Sequence, residues 1–556
     1  MSAQTDVLVI GSGAAGLTAA LTAALHGRHV ILIEAAERVG GMTAGSGGAM
    51  WLPANPLMAA AGIVDTPELA HTHIAAHLGD LYDRDMIDAF LKNGSAMVGF
   101  LQERSSAMRF ISYAGPDYHQ NLPGAQPSAR SLMPQYFDGR LLGPWLARME
   151  GPKRELTVFG GMQVEASEAL ELQQSWRRLS AFNVAARLVG RYALDRARFG
   201  RGTRLIRGQA LVGRLLRSAL DAGVTIRPAT RATSLLQRAG KVCGAIILTA
   251  TGEDRIEAGD GVILATGGFS SDPERVNRFF PDAAMHIPMF PATNRGEGVN
   301  LAESVGGSFG RKNADNGIWM PASAYRRADG TMLRYPHFAF DRCKPGAVVV
   351  NAHGRRFVNE GGSYHAFVRA MRLNDAVPAW LVGDHPFLRE YGMGLARPFP
   401  YPYRPLVRNG YLVQARTIAE LAGKIRVPAD ALEDTIVRMN RYAQTGSDEE
   451  FGKGDDIHSR MLGDARRGPN PTLGPIATAP FYALALYPSD AGTTLGLRTN
   501  TNAQVLDDAA MPIPGLYACG LDMNSALRGH YPGAGTMLGP AMAFAYAAGR
   551  HTAGAA

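Results

Sequence analysis

The 556-residue chain contains only three cysteines, Cys243, Cys343 and Cys519, which lie far apart in the sequence. This number and spacing argue against a disulfide framework, a zinc site or a Cys-x-x-Cys redox motif. The chain also lacks an uninterrupted apolar run of the ~18 residues that a membrane-spanning helix needs. No basic segment precedes the apolar stretch near the N-terminus, which argues against a secretory signal peptide. These absences predict a cytoplasmic protein without a metal site.

Charge outside one segment is balanced, so the net charge of +8 has a local origin. Residues 176–207 hold nine arginines and one acid, and apolar residues alternate with them. This pattern is typical of an amphipathic basic helix. Two interpretations stay open, a solvated helical surface and a surface that contacts an anionic membrane or a partner. Nucleic acid is disfavoured because no nucleic-acid-binding motif accompanies the charge.

The composition is that of a globular protein, since 46% of the residues are hydrophobic and 19% are charged. A chain of this length exceeds a single hydrophobic core, so two or three domains are expected.

A dinucleotide-binding motif occupies the segment DVLVIGSGAAGLTAALTAALHGRHVILIEAAERVGG, residues 6–41. An apolar strand leads into three glycines, an Ala/Leu-rich helix follows, and a second strand ends on an acid. The glycines permit the tight turn and the close approach of a pyrophosphate, while the helix N-terminus supplies free N–H groups. The acid stands where a carboxylate holds the ribose hydroxyls. The residues expected to bind the dinucleotide here are Gly11, Gly13, Ala14, Ala15, Gly16 and Glu34.

Later segments favour FAD over NAD. The loop GGMTAGSGGAMWLP (40–53) stands where a nicotinamide enzyme would continue its sheet. GDGVILATGGFSSDPE (259–274) and GLYACGLDMN (515–524) are strands followed by small residues, the second with an acid placed to reach a ribityl chain. PATNRGEGVNLAESVGG (291–307) contains a helix start, and VVVNAHGRRFVNE (348–360) a strand–turn–strand. Together these segments resemble flavoproteins of the fumarate reductase and succinate dehydrogenase superfamily.

The resemblance implies an α/β fold with a Rossmann-type FAD-binding domain assembled from separated segments. An α+β catalytic domain of the fumarate reductase flavoprotein type accompanies it. The expected boundaries are 1–285 for the first part of the FAD domain, with a largely helical insertion at 65–201, then 286–475 for the catalytic domain and 476–556 for the last part of the FAD domain.

The resemblance also implies how FAD is held. Residues 43–48 lack the His that carries covalent flavin in some members, so FAD is expected to be non-covalent. The backbone N–H groups that start the last helix are expected to face the flavin pyrimidine edge. The further FAD-binding residues expected are Gly41, Met42, Thr43, Ser46, Gly47, Gly48, Ala265, Thr266, Gly267, Gly520, Asp522, Thr536, Met537 and Leu538.

The segment GHYPGAGTMLGPAM (529–542) places one tyrosine on a Gly/Pro loop directly before an apolar helix. With DAGTTLGLRTNTNAQVL (490–506) and GLYACG, it resembles the FAD-dependent 3-ketosteroid Δ1-dehydrogenases. In that family the Tyr and the last Gly of Tyr-Pro-Gly-x-Gly, here Tyr531 and Gly535, hold the substrate's C3 carbonyl oxygen. Loss of an α-proton turns a ketone into an enolate, which two preset donors stabilise. The structural alternative is a tyrosine that packs against a glycine turn.

The family removes the α-proton with one tyrosine assisted by a second. The resemblance places the assisting residue at Tyr118, in the loop GPDYHQNLPGAQPSARS, with Tyr113 as a wall of the pocket. The base should precede the segment DRCKPG (341–346), where the chain reads RYPHFAFDRCKPG and a gapless match leaves no tyrosine. A slip of one residue brings Tyr335 or His337 to that place, and Tyr335 is the expected base. A histidine would suit neutral pH better, with an ordinary pKa of about 6.5 against about 10 for tyrosine.

The predicted function is FAD-dependent desaturation of a cyclic ketone next to its carbonyl, with a 3-ketosteroid as first choice and a small ring ketone such as cyclohexanone as the alternative. An ene-reductase of the fumarate reductase type is the second alternative, and it predicts cationic residues around a carboxylate. A flavin-binding protein that has lost its chemistry is the third. An external electron acceptor such as a quinone is expected, and membrane contact through 176–207 stays one of the two open interpretations of that segment.

Overall fold

The computed structural model describes residues 3–175, 178–310 and 312–555. Its strands form two large sheets and two small ones. The strands, in chain order, are β1 (Ala3–Ile10), β2 (Val30–Ile33), β3 (Met50–Trp51), β4 (Phe110–Ser112), β5 (Ser131–Pro134), β6 (Phe137–Asp138), β7 (Arg204–Leu205), β8 (Thr225–Arg227), β9 (Arg231–Arg238), β10 (Lys241–Thr249), β11 (Gly252–Leu264), β12 (Gly317–Arg326), β13 (Met332–Pro336), β14 (Ala347–Val350), β15 (Ala379–Gly383), β16 (Val413–Ala415), β17 (Phe481–Thr493), β18 (Gln504–Leu506) and β19 (Pro512–Ala518).

The helices, in chain order, are α1 (Ala14–Leu25), α2 (Pro56–Ala60), α3 (Pro67–Leu78), α4 (Arg84–Arg104), α5 (Trp145–Arg148), α6 (Ala166–Gln174), α7 (Leu179–Phe199), α8 (Arg207–Asp221), α9 (Pro273–Phe279), α10 (Glu297–Glu303), α11 (Ala339–Arg342), α12 (Tyr364–Leu373), α13 (His385–Glu390), α14 (Arg404–Arg408), α15 (Ile418–Ile425), α16 (Ala429–Thr445), α17 (Ile457–Leu462) and α18 (Leu538–Thr552). Short 3-10 turns include Gly41–Gly45 and Arg154–Leu156.

The first sheet positions the expected cofactor segments. Its spatial order is β18, β19, β11, β1, β2 and β8. In addition, β10 pairs with the first half of β11, and β9 pairs with β10. β19, β11, β1, β2 and β8 run parallel, and the last residues of the three central strands, Ile10, Leu264 and Ala518, lie side by side. Ligands of such sheets bind beyond the carboxyl ends of the strands. The predicted FAD segments therefore meet at one edge.

One apolar core packs α1, α4, α8 and α18 together, with Leu17, Phe90, Leu215 and Phe544 buried in it. Helix α4 lies within 65–201, so the first half of that segment belongs to the core of the FAD-binding sheet. The segment is also less regular than the largely helical insertion that we expected. It contains the short strands β4, β5 and β6 because its Pro- and Gly-rich part cannot propagate a helix.

The second large sheet has the spatial order β13, β12, β17, β15 and β14, with β16 paired to β17. The expected domain boundary at 476 differs from this arrangement, because β17 (481–493) lies in the middle of the second sheet. We therefore propose a boundary after Thr493. The strand–turn–strand expected at 348–360 is also only half present. β14 is followed by an irregular segment in which Arg356 forms buried ion pairs with Glu360 and Asp448.

The basic segment contains helix α7, which ends at Gly200 in the left-handed conformation. Trp176 and Arg177, the first residues of that segment, lie outside the described residues. Within the described ranges, no helix combines the length and the apolar character needed to cross a membrane.

Candidate active site

The first and third glycines of the dinucleotide motif, Gly11 and Gly16, are required by close backbone contacts. Gly11 has a φ of +107°, and a Cβ atom there would lie 2.2 Å from the carbonyl oxygen of Ala265. A Cβ at Gly16 would lie 1.9 Å from the carbonyl oxygen of Gly11. Both positions allow β1, β11 and α1 to approach closely, as the motif predicts.

Gly13 differs from its neighbours because its missing side chain leaves room for a ligand. A Cβ there would have one neighbour within 4 Å, the Thr43 hydroxyl at 3.8 Å. Gly13 is the N-cap of α1. In the first turn of this helix the N–H of Ala14 donates to Thr43 Oγ1 at 3.0 Å, and the other N–H groups are free. This open space at a helix N-terminus fits a pyrophosphate. Ala15 follows in the same turn, and a Cβ atom at Gly520 would lie 3.1 Å from the Cβ atom of Ala15.

Glu34 follows β2 at the same edge. One carboxylate oxygen accepts hydrogen bonds from the Ser12 hydroxyl at 2.6 Å and the Ser12 N–H at 3.0 Å. The other accepts from the N–H of Ala36 at 2.9 Å. The side chain is only partly buried and borders the glycine turn, which suits a group that holds ribose hydroxyls.

The loop after Glu34 encloses open space. Gly41 and Met42 begin the 3-10 turn Gly41–Gly45, and a Cβ at Gly41 would lie 3.7 Å from Gly13. The Ser46 hydroxyl donates to the carbonyl of Thr43 and accepts from the N–H of Gly48. A Cβ at Gly47 would meet nothing within 4 Å, so this part of the loop faces free space as a cofactor cradle requires.

Asp522 follows β19 and is fully buried. Its fully buried carboxylate accepts hydrogen bonds from the N–H and hydroxyl of Thr266 and from the N–H of Gly268. Burial is the main cause of its raised pKa. Asp522 thus ties the loop after β11, which includes Ala265 and Gly267, to the loop after β19. This positioning role adds to the ribityl contact expected from the sequence, which stays a prediction.

A small cavity opens beside the start of α18, and Gly520, Thr536 and Met537 line it. The expectation that three successive N–H groups here face a ligand needs correction. The Thr536 N–H donates to the carbonyl of Gly533, and the Leu538 N–H donates to the carbonyl of Gly535. The tight turn before α18 uses these donors internally, so Met537 is the residue of the three that can present its N–H.

Three tyrosines meet at the far side of that turn. The ring of Tyr531 lies 5.1 Å from that of Tyr364 and 5.6 Å from that of Tyr118, between centroids. The Tyr364 hydroxyl donates to the Tyr531 hydroxyl, and the ring of Tyr364 lies edge to face with that of Tyr118 at 6.2 Å between centroids. The N–H of Gly535 reaches the Tyr531 hydroxyl oxygen. The structure thus brings together the predicted Tyr531, Gly535 and Tyr118, and adds Tyr364, which the sequence analysis missed.

Burial dominates the electrostatics of this cluster. It raises the pKa of Tyr118 and of Tyr364 well above the ordinary value, and the neighbouring phenols add to the effect. The pKa of Tyr531 is also raised by burial, while its hydrogen bonds from Tyr364 and Gly535 lower it. All three phenols are therefore protonated at neutral pH. Tyr531 is 5% exposed and packs against apolar side chains, which keeps water from its hydroxyl.

Backbone contacts fix the loops that carry these tyrosines. The Tyr118 N–H donates to the carbonyl of Pro532 at 2.7 Å. Asp117, the neighbouring residue, accepts from Trp51 Nε1 at 2.8 Å and from Arg130 at 2.8 Å. The Tyr113 phenol lies close enough to raise the pKa of Tyr118, which agrees with a place in the pocket wall.

The base expected at Tyr335 or His337 does not fit this geometry. Tyr335 lies opposite Ser323 in the pair of β13 with β12, and Ser323 hydrogen-bonds His337 at 2.7 Å. Ala322, the neighbour of Ser323 on β12, packs with Tyr531 on the other face of the sheet. Successive strand residues point to opposite faces. Tyr335 and His337 therefore lie on the face away from the tyrosine cluster.

Phe338 comes closer to the cluster than either expected base, with its ring 5.6 Å from that of Tyr364. It has no hydroxyl and contributes an apolar wall. Arg342, which lies in the DRCKPG segment, is fully buried, donates to the carbonyl of Glu360 and covers the ring of Phe367.

The site combines a glycine turn that fits a pyrophosphate, an adjoining cavity, and two hydrogen-bond donors that are shielded from water. This arrangement is typical of a flavin-dependent oxidoreductase. Residues 6–538 match the family model described as FAD binding domain. The 4-oxocyclohex-2-ene-1-carboxylate 5-dehydrogenase of Sinomonas cyclohexanicum is 34% identical over 99% of this chain and 93% of its own. The 3-oxosteroid 1-dehydrogenase of Mycolicibacterium smegmatis is 34% identical over 98% and 96%.

Among solved structures, the 3-ketosteroid Δ1-dehydrogenase of Sterolibacterium denitrificans in complex with 1,4-androstadiene-3,17-dione is 32% identical. It superimposes with a TM-score of 0.89 over 100% of both chains. The chain belongs to the FAD-dependent 3-ketosteroid Δ1-dehydrogenase family. The predicted fold class, the FAD cofactor and the oxidoreductase class are thereby confirmed.

Proposed function

We propose that this oxidoreductase introduces a double bond next to the carbonyl of a cyclic ketone, and that Tyr531 and Gly535 bind the carbonyl oxygen. The observation that carries the proposal is the buried Tyr531 hydroxyl, which accepts from Tyr364 inside an apolar cluster and lies near enough to the Gly535 N–H for that group to lower its pKa. Two donors at one oxygen stabilise an enolate and so acidify the neighbouring C–H. A 3-ketosteroid and a smaller 4-oxocyclohexane ring both present such an oxygen.

The α-proton passes to the tyrosine pair in this scheme. Tyr364 contacts both Tyr531 and Tyr118, so a carbonyl oxygen held by Tyr531 places the α-carbon beside Tyr364. Tyr118, whose ring packs edge to face with that of Tyr364, assists it in this scheme. When bound, FAD supplies the acceptor for the β-hydrogen as a hydride, and an external acceptor such as a quinone would take up the electrons. The absence of His from residues 43–48 supports a non-covalent cofactor.

The test is anaerobic mixing of the purified yellow protein with a ring ketone while the long-wavelength flavin absorbance is followed. We expect 4-androstene-3,17-dione or 4-oxocyclohexanecarboxylate to bleach the flavin within seconds and to yield the corresponding enone. When the flavin has been reduced by light, we expect that added fumarate does not reoxidise it. Rapid reoxidation by fumarate, with no bleaching by either ketone, would mean that the chain is an ene-reductase.

We also propose peripheral contact with anionic membranes through α7. Leu179, Phe182 and Leu194 are 77%, 55% and 74% exposed on this helix. Arg187 and Arg198 are exposed beside them. Large apolar side chains next to arginines suit the boundary between acyl chains and anionic headgroups.

The variant Leu179→Glu/Phe182→Glu/Leu194→Glu should lose at least about tenfold in affinity for phosphatidylserine vesicles in a sedimentation assay, since it removes the inserting side chains and adds repulsive charge. Binding by the wild type should weaken as salt rises. Val437→Glu, at a 67% exposed site on α16, is the matched control and should bind like the wild type. Equal binding by the triple variant, or equal binding to neutral phosphatidylcholine, would refute a membrane role for α7.

A further inference from the structure

Arg334 lies on the substrate side of the second sheet. It is opposite Ala324 in the antiparallel pair of β13 with β12. Residues directly opposite one another share a face, and Ala324 lies on the face of Ala322, which packs with Tyr531. The side chain of Arg334 therefore belongs to the side of the sheet that carries the tyrosine cluster.

Lys153 approaches the same place from the FAD-binding loop. Its stem covers Gly45, where a Cβ atom would lie 3.0 Å from Lys153 Cε. Its Nζ donates to the carbonyl of Met289 at 3.2 Å, and the Met289 side chain packs in one apolar cluster with Tyr531. The 3-10 turn Arg154–Leu156, directly after Lys153, contacts β13. Both cations thus border the pocket between the FAD-binding loop and β13.

These two cations have no acidic partner of their own. Neither has a carboxylate oxygen within 4.0 Å among residues 3–175, 178–310 and 312–555. The Nε of Arg334 is buried without a hydrogen-bond partner. Burial, and then the charge of Arg334, lower the pKa of Lys153, whereas Glu155 and Asp490 raise it from a longer range. Asp490 is already engaged, since it accepts from the Ser270 hydroxyl at 2.5 Å.

A partly desolvated cation without a counter-charge is unfavourable, and a carboxylate that reaches it gains charge-assisted hydrogen bonds. An Arg fork binds both oxygens of a carboxylate, and a Lys adds a compact charge. We propose that Lys153 and Arg334 bind the carboxylate of a cyclic ketone whose carbonyl oxygen lies at Tyr531 and Gly535. This proposal rests on the proposed function and narrows its substrate class to anionic ring ketones.

The experiment compares 4-oxocyclohexanecarboxylate with its methyl ester, which keeps the ring ketone, carries one more methyl group and has no charge, on the FAD-loaded enzyme. For the wild type we expect kcat/KM to be at least about 30-fold higher for the acid, because removal of one partner of a buried charge pair costs about this factor or more. Lys153→Met and Arg334→Met should each remove most of that preference through KM. Each should leave kcat/KM for the ester within about threefold. Lys92→Met, at an exposed site of α4, is the matched control.

A second measurement is independent of turnover. Cyclohexanecarboxylate has no ketone, and its equilibrium binding can be followed through the flavin spectrum. Binding that weakens at least about tenfold in both variants supports the anion site. Equal binding in wild type and variants, or equal kcat/KM for acid and ester, overturns it. If neither ketone is oxidised, the proposed function fails, and the cyclohexanecarboxylate result still decides the anion site.

Discussion

The Tyr531→Phe variant is expected to lose about 100- to 1000-fold in kcat, the usual effect of removing one oxyanion donor. Tyr531 has its hydroxyl at the meeting point of Tyr364 and Gly535, inside an apolar cluster. Phenylalanine keeps the ring packing and removes the single O–H that would face the developing enolate. The measurement is the rate of anaerobic flavin bleaching by the ring ketone at saturation.

Tyr546→Phe is the matched control for that variant. Tyr546 is a buried tyrosine of α18 that packs against Phe100, away from the tyrosine cluster. It should retain wild-type bleaching and FAD content. Full activity in Tyr531→Phe, with normal FAD content in both variants, would reduce Tyr531 to a residue that packs a glycine turn.

The Tyr364→Phe variant should show an equally large defect, about 100- to 10,000-fold in kcat, because it removes the group proposed to accept the α-proton. Since burial holds the pKa of Tyr364 and Tyr118 well above the ordinary value, the deprotonated fraction is small at neutral pH. The wild-type kcat/KM should therefore rise about tenfold per pH unit across the neutral range, and the variant should lose this slope. Stopped-flow bleaching between neutral and alkaline pH measures both.

Tyr335→Phe separates the two assignments of the base. It makes the same chemical change on the opposite face of the second sheet, beside His337. We expect activity within about threefold of the wild type and an unchanged pH profile. A Tyr335→Phe enzyme without activity, together with an active Tyr364→Phe enzyme, would restore the assignment made from sequence.

Local patterns in the sequence predicted elements whose chemistry is contained in a short segment. The motif at 6–41 gave β1, α1 and β2 in the right order because its glycines and apolar runs act over a few residues. The segment ALEDTIVRMNRYAQTG (431–446) also carries a local signal, since its amphipathic pattern stops at a glycine, and Gly446 in the left-handed conformation closes α16. The place of β17 could not be predicted, because an apolar strand does not reveal which sheet it joins.

The site was predictable where a motif fixes the residue, as for Tyr531 and Gly535. It was not predictable where a strand decides the face. A shift of one residue moves a strand side chain to the other side of the sheet. The sequence around Tyr335 therefore could not show whether this side chain faces the tyrosine cluster or the opposite face of the sheet. Tyr364 gave no motif signal of its own, although it precedes the apolar pattern of α12. Its role follows from packing between segments distant in the chain.

The order of synthesis has a consequence for how this protein matures. α1 is synthesised more than 500 residues before α18, yet the two helices pack against each other. Gly549 of α18 lies so near α1 that a Cβ atom would be 2.7 Å from the carbonyl of Ala19. The side of α1 that packs against α18 therefore stays uncovered until residues 538–552 have been synthesised. Contacts between segments so distant in the chain form slowly compared with local folding. Before α18 is present, the N-terminal half therefore exposes apolar surface that chaperones can bind.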